Sequence, residues 1–187
     1  MGKSSSLMER NSLKGRGKML EIERKFIVQG FPEDVLSQED YISYGLRLIR
    51  EVEIAQGYLS VEPEVRLHGA RDIRSGEENF RLTLKGEGDL SRTELITDVT
   101  REFFEEAKKL LPGKMIEKLY REYRFGDWSL EVCHVDAGMD SEFYYGEIEF
   151  ASEEAAKNFV APQWMGEDVT YDERYKMKNF WKRTRER

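Results

Sequence analysis

Cysteine is nearly missing from this sequence. Cys133 is the single one in 187 residues, which excludes an internal disulfide and any zinc site built from several cysteines. Long apolar runs are missing too; the longest are a few residues, too short for a membrane-spanning helix. No apolar signal-peptide stretch follows the start, so a cytoplasmic, reducing compartment is expected. A basic excess is lacking: the formal net charge is −7, which argues against a nucleic-acid binder. No internal repeat is visible. What is present is 36% charged, 39% hydrophobic and 12% aromatic residues, a mixture that excludes general disorder. The length suits one domain.

The net charge hides an uneven distribution. Residues 1–18 carry Lys3, Arg10, Lys14, Arg16 and Lys18 against Glu9, and the last dozen residues are basic again, so the middle is the more acidic. Residues 1–18 are Ser-, Gly- and Lys-rich without a period and read as a disordered leader or tag, with Met19 as an alternative initiator. Residues 19–187 read as a single domain.

Most of that domain has strand periodicity. Residues 20–28 alternate strictly. Residues 57–68 read as a strand broken or bulged at Pro63. Residues 78–85 and 91–99 form a hairpin about the turn 86–89; residues 116–125 and 128–135 form another about Gly126-Asp127. Residues 145–150 close the set. Helical spacing appears in 100–111, with Thr100 as N-cap and Pro112-Gly113 as stop, in 152–159 behind Ser152, and in a basic amphipathic stretch at 172–186. Residues 32–50 fit neither pattern. The expected fold class is α+β, mainly β: an antiparallel barrel of about eight strands with flanking helices.

Alternate residues of a strand share a face, and here the faces carry unlike chemistry. Glu21, Glu23 and Lys25 line up against Ile22, Arg24 and Phe26. Glu64, Arg66 and His68 line up against Val65 and Leu67; Arg81, Thr83 and Lys85 against Leu82 and Leu84; Glu147 and Glu149 against Ile148 and Phe150. Arg92, Glu94 and Lys118 extend the pattern. Two readings are open. The rows form a solvated outer face, or they point inward around a wet tunnel while the apolar faces pack against helices. The segregation by sign favours the second: acids stand on the first and last strands, cations on the middle ones. Opposed charges of this kind are tolerable inside a barrel that takes a metal and a polyanion. Grouped carboxylates suit Mg²⁺ or Mn²⁺ rather than zinc, and Lys and Arg suit phosphate oxygens.

These residues resemble the CYTH, or triphosphate tunnel metalloenzyme, superfamily. Glu21-Ile-Glu23-Arg-Lys25 matches its ExExK motif. Gln56-Gly57-Tyr58-Leu59, Val65-Arg66-Leu67, Leu82-Thr83-Leu84-Lys85-Gly86 and Leu90-Ser91-Arg92-Thr93-Glu94 follow in family order. Glu117-Lys118, Gly146-Glu147-Ile148-Glu149-Phe150 and the stretch from Trp164 to Tyr175 complete a likeness over roughly 19–180. The resemblance implies an eight-stranded tunnel that binds triphosphate with Mg²⁺ or Mn²⁺, and the last stretch is most like compact bacterial inorganic triphosphatases. By position, Glu21, Glu23, Glu147 and Glu149 would hold metal. Lys25, Arg66, Lys85, Arg92 and Lys118 would hold phosphates. Lys25 with Tyr58 resembles the lysine–tyrosine pair associated with triphosphate hydrolysis.

The chain also departs from that pattern. Ile96 replaces an acid, His68 stands where a second arginine is common and brings an expected pH sensitivity, and Cys133 replaces an aspartate for which Asp136 is a candidate substitute metal ligand. Arg121 faces away unless a bulge turns it, and Arg81 could compensate for a lost cation. The expected substrate is a small-molecule triphosphate, inorganic tripolyphosphate foremost, with no nucleic acid or membrane partner; a homodimer is left open. Thiamine triphosphate hydrolysis, nucleotide hydrolysis or cyclisation (with Tyr41, Tyr44 or Trp128 stacking on a ring), and a non-catalytic polyphosphate-binding module are the alternatives.

Overall fold

The computed structural model of the protein describes residues 18–86 and 91–185, with side chains from Ile22 onward except those of Ser91 and Arg92. The expected leader, Lys18 apart, and the tip of the first hairpin lie outside the described residues.

Nine strands are described: β1 (Lys18–Val28), β2 (Arg47–Val61), β3 (Glu64–Asp72), β4 (Glu78–Lys85), β5 (Ser91–Asp98), β6 (Ile116–Phe125), β7 (Trp128–Val135), β8 (Phe143–Glu149) and the two-residue β9 (Glu167–Asp168). Five helices accompany them: α1 (Pro32–Val35), α2 (Gln38–Ser43), α3 (Arg101–Lys108), α4 (Glu153–Asn158) and α5 (Met177–Arg185). The sheet runs β5-β4-β3-β2-β6-β7-β8-β1 with every neighbouring pair antiparallel. It returns on itself through β1 in two staggered halves. Lys18 to Ile22 pair with β5, and Glu23 to Val28 pair with β8. No residue of β1 is laddered to both, and where β5 leaves off, β9 pairs with Phe26 and Ile27.

The segment expected to be one strand bent at Pro63 is instead two. β2 and β3 are joined by a tight turn containing the cis Glu62–Pro63 peptide bond, and proline sits where no ladder hydrogen bond is needed. The ambiguous residues 32–50 divide into α1, α2 and the start of β2. That start is bulged between Leu48 and Arg50, which breaks the alternation that would have revealed it. The C-terminal helix begins only at Met177, after a 3₁₀ turn at Glu173–Tyr175 capped by Asp172. The predicted caps of α3 and α4 are present: Thr100 accepts from Phe103 N–H and Ser152 from Ala155 N–H, each at 3.1 Å.

Hydrophobic packing lies mainly outside the sheet. Ile22, Phe26, Leu130, Val132 and Ile148 face outward beneath Phe31, Ala156, Phe159 and Met165. Leu67 is covered by Phe104 and Ala107 of α3; Gly69 allows this, because a Cβ there would collide with the Phe104 ring. One end of the interior is filled by Tyr58, Ile116, Cys133, Val135 and Tyr145 against Phe180 and Trp181 of α5. No helix among the described residues is long and apolar enough to cross a membrane.

Candidate active site

With their apolar faces covered by helices, the strands turn their charged rows inward around a cavity of about 430 Å³. The inward reading of the sequence is the observed one: Glu64, Lys85, Glu94 and Lys118 are all buried. Lys85 Nζ lies 3.0 Å from Glu94 Oε1, and Arg66 Nη2 lies 3.4 Å from the same oxygen. Lys118 Nζ donates to Tyr145 Oη at 2.8 Å. Burial pushes the Lys118 amine down to about 8; Cys133 and Glu147 oppose that shift, while Lys25 and Arg66 add to it.

Lys25 is held from several directions. Its Nζ lies 2.8 Å from Glu147 Oε1, donates to the Tyr175 carbonyl at 3.2 Å and sits 4.1 Å from the Tyr145 ring centroid. Its backbone N–H donates to Thr170 Oγ1 at 3.1 Å, and its carbonyl accepts from Val169 N–H at 2.8 Å. The neighbouring Arg24 faces outward and binds Asp168 at 2.5 Å and the Ala156 and Phe159 carbonyls. The segment from Trp164 to Tyr175 therefore clamps β1 in register. Gly166 is required there, since its positive φ of 73° and its approach to the Ile27 carbonyl leave no room for a Cβ.

The acidic end is different. Glu23 is opposite Glu149 on β8, and Glu147 lies between Lys25 on β1 and Glu131 on β7. Glu23, Glu131, Glu147 and Glu149 line a void of about 50 Å³. Like charges at facing ladder positions repel. Burial, and then Glu147, Glu122 and Glu23, push the Glu131 carboxyl up to about 8. Among the described residues no three ligating side chains already converge as a coordination set. Even so, an all-carboxylate ring around a small void, crowded by its own charge, fits a hard divalent cation better than zinc.

The remaining expectations divide. Tyr58 lines the cavity, buried, with its ring 5.7 Å from Trp181 and its Oη accepting from Gln56 Nε2 at 3.0 Å. Arg81 stands at the exposed rim, 3.2 Å from Asp98. Ile96 and Cys133 face the cavity, and burial pushes the Cys133 thiol up to about 11. Arg121 faces away, bound to Glu51 and Glu33. Asp136 is corrected: it is not among the cavity residues but is buried, 2.5 Å from Arg185 Nη2, and accepts from Ser141 Oγ at 2.7 Å. Its positive φ of 53° swings it off the line of β7. Glu21 and Arg92 occupy opposite ladder positions in β1 and β5, but their side chains lie outside the described residues. His68 lines the cavity. Burial, then Arg66, Lys118, Arg81 and Lys85, hold it well below the ordinary imidazole range, so it is neutral at neutral pH.

Glu131 and Tyr145 were missed as site residues. Glu131 alternates with Leu130 and Val132, but Ser129 and Cys133 beside it conceal an acidic row. Tyr145 resembles any core aromatic until Lys25 and Lys118 are seen on either side of it.

Relatives bear on this site. No family model matches the chain. The inorganic triphosphatase of Nitrosomonas europaea is 37% identical over 163 residues, covering 86% of this chain and 95% of its own. The inorganic triphosphatase of Acetivibrio thermocellus is 30% identical over 164 residues, covering 87% and 93%. Among solved structures, that of the inorganic triphosphatase NE1496 superposes with a TM-score of 0.55 at 29% identity, covering 88% of this chain and 95% of that one. Fold, charged cavity and sequence agree on the class, a β tunnel with opposed acidic and basic walls. The chain belongs to the CYTH, or triphosphate tunnel metalloenzyme, family.

Proposed function

We propose that this protein hydrolyses triphosphate, with inorganic tripolyphosphate as the favoured substrate, and that it requires Mg²⁺ or Mn²⁺. One observation carries the reading: a basic and an acidic wall face each other across one cavity. The names of the two bacterial relatives support it. Tyr41 and Tyr44, candidates for stacking on a nucleotide or thiamine ring, pack instead against the outer hydrophobic cluster, and Trp128 is exposed on the outside of the sheet and absent from the cavity lining. Tyr44 lies 5.9 Å from Trp164, and Trp128 lies 5.0 Å from Phe159.

Glu23, Glu147 and Glu149, with Glu131 and the motif residue Glu21, would hold the metal. When bound, it neutralises phosphate charge and lowers the pKa of coordinated water. Arg66, Lys85 and Lys118 draw the phosphate chain against the basic wall, Arg81 adds a cation at the rim, and Arg92 remains a phosphate-binding candidate by its motif alone. In doing so, phosphate oxygens take over donors now directed at Glu94 and Tyr145. Lys25, held by Glu147, and Tyr58, fixed by Gln56, orient water for in-line attack on the terminal phosphorus. The bond to the bridging oxygen breaks, and phosphate and diphosphate leave. The cations stabilise the charge gathering on that oxygen.

Phosphate release from tripolyphosphate, thiamine triphosphate and ATP, each with Mg²⁺ and with Mn²⁺, tests this. Tripolyphosphate should be turned over fastest. Folded protein that releases no phosphate from it with either metal contradicts the proposal, and cyclic AMP formed from ATP would replace it with a cyclase.

A further inference from the structure

His68 lines the basic wall among the cations Arg66, Arg81, Lys85 and Lys118. Its ring lines the cavity, and its Nδ1 is enclosed without a hydrogen-bond partner. Arg66 faces it from its own strand, Arg81 and Lys85 from β4, and Lys118 from β6. Arg81 is its ladder partner, and neutral Gln56 is opposite on β2. The acids of β5 are engaged by those cations, Glu94 by Lys85 and Arg66, and Asp98 by Arg81. Burial and these four cations thus all oppose protonation of His68.

A triphosphate brings several negative charges into this row and reverses the sign of the field at the ring. A neutral imidazole offers one donor and one acceptor, whereas an imidazolium offers two donors. The second suits a phosphate better, because it adds a donor and a positive charge. The geometry points to His68 as a phosphate-binding position that engages the substrate by taking up a proton with it. This inference rests on the proposed triphosphate-binding function and deepens it. Binding and protonation are linked reciprocally. A group whose midpoint rises on binding makes affinity increase as pH falls through the bound-state midpoint, and leaves it flat above that. The chain thus has a cation at this position only when a polyanion is present to need it.

The chain contains two histidines, so the imidazole C2–H resonances can be followed in the full-length protein. His134 is the internal control, held by Glu142 at 2.5 Å and stacked on Tyr144 outside the cavity. Both are titrated with the metal chelated, with and without saturating tripolyphosphate. The His68 midpoint is expected to rise by at least about one pH unit, a tenfold coupling to binding, while His134 stays in place. Affinity measured across pH should follow. Wild type should match His68→Arg below the bound-state midpoint and His68→Gln above it. A His68 midpoint unmoved by bound tripolyphosphate overturns the inference, as do parallel affinity profiles for the wild type and both variants. Failure of tripolyphosphate to bind overturns it as well; phosphate release with metal in that case leaves the hydrolase reading standing alone.

Discussion

The two walls of the cavity arise from the same strand alternation, yet they stand in opposite electrostatic states. On the basic wall the donors are already engaged: Lys85 and Arg66 share Glu94, and Lys118 is bonded to Tyr145. A polyanion entering there exchanges one set of acceptors for another, and little needs to move. On the acidic wall four glutamates ring a small void, Lys25 engages one of them, and Glu131 is pushed up to about 8 by burial and its neighbours. Under the proposed function, a cation arriving there would relieve that wall. The difference separates two tasks that a net charge of −7 conceals, holding the anion and neutralising it.

Breaking the basic wall should have the largest effect. Lys85→Ala leaves Glu94 buried beside a gap and is expected to lower kcat/KM for tripolyphosphate by roughly 100-fold or more, in the range seen when a charge-stabilising donor is removed. Steady-state kinetics check this, and circular dichroism confirms the fold.

Breaking the acidic wall should act through the metal. Glu147→Gln is expected to raise the Mg²⁺ concentration for half-maximal rate by at least about tenfold. It also loosens Lys25, so the rate at saturating metal falls too.

Glu131→Gln sharpens the contrast by stability alone. Its folded pKa lies above the unfolded value, so the native state binds more protons between the two. Stability of the metal-free protein should therefore fall as pH rises from about 4.5 to about 8, and level off above. Glu131→Gln removes that slope and raises the metal-free Tm at pH 7.5 by on the order of 5 °C. Mg²⁺ should stabilise the wild type more than the variant. Melting curves with EDTA and with Mg²⁺ at several pH values decide this.

The smallest effect belongs to the rim. Arg81 is exposed and tied to Asp98, so Arg81→Ala should raise KM by only about two- to fivefold, with kcat unchanged. A loss as large as that of Lys85→Ala would move the phosphate path to the rim.

The rows themselves were legible because a period of two survives in β1, β3, β4 and β8, and because their sign changes from strand to strand. The motif after Trp164 was legible as a likeness, but its work was not. That it clamps Lys25 through Thr170 and Val169 depends on a contact between residues about 145 apart. β2 was hidden by its bulge and by Pro63, which reads as a break within a strand rather than the turn between two. Asp136 reaches the cavity only if the strand is shifted in register, and β7 instead ends at Val135, after which the backbone turns left-handed. Glu131 was overlooked because its strand neighbours Ser129 and Cys133 are uncharged, and only the closing of β7 against β8 sets it opposite Glu147.

In the proposed function the basic wall binds triphosphate, and the acidic wall, through a metal, would enable hydrolysis. Calorimetric binding of tripolyphosphate and phosphate release, measured on one preparation in EDTA and again with Mg²⁺ or Mn²⁺, tests it most directly. Binding in EDTA without phosphate release, and release restored by metal, are the expected results. Undiminished release in EDTA, or binding lost with Glu147→Gln but unaffected by Lys85→Ala, would contradict it.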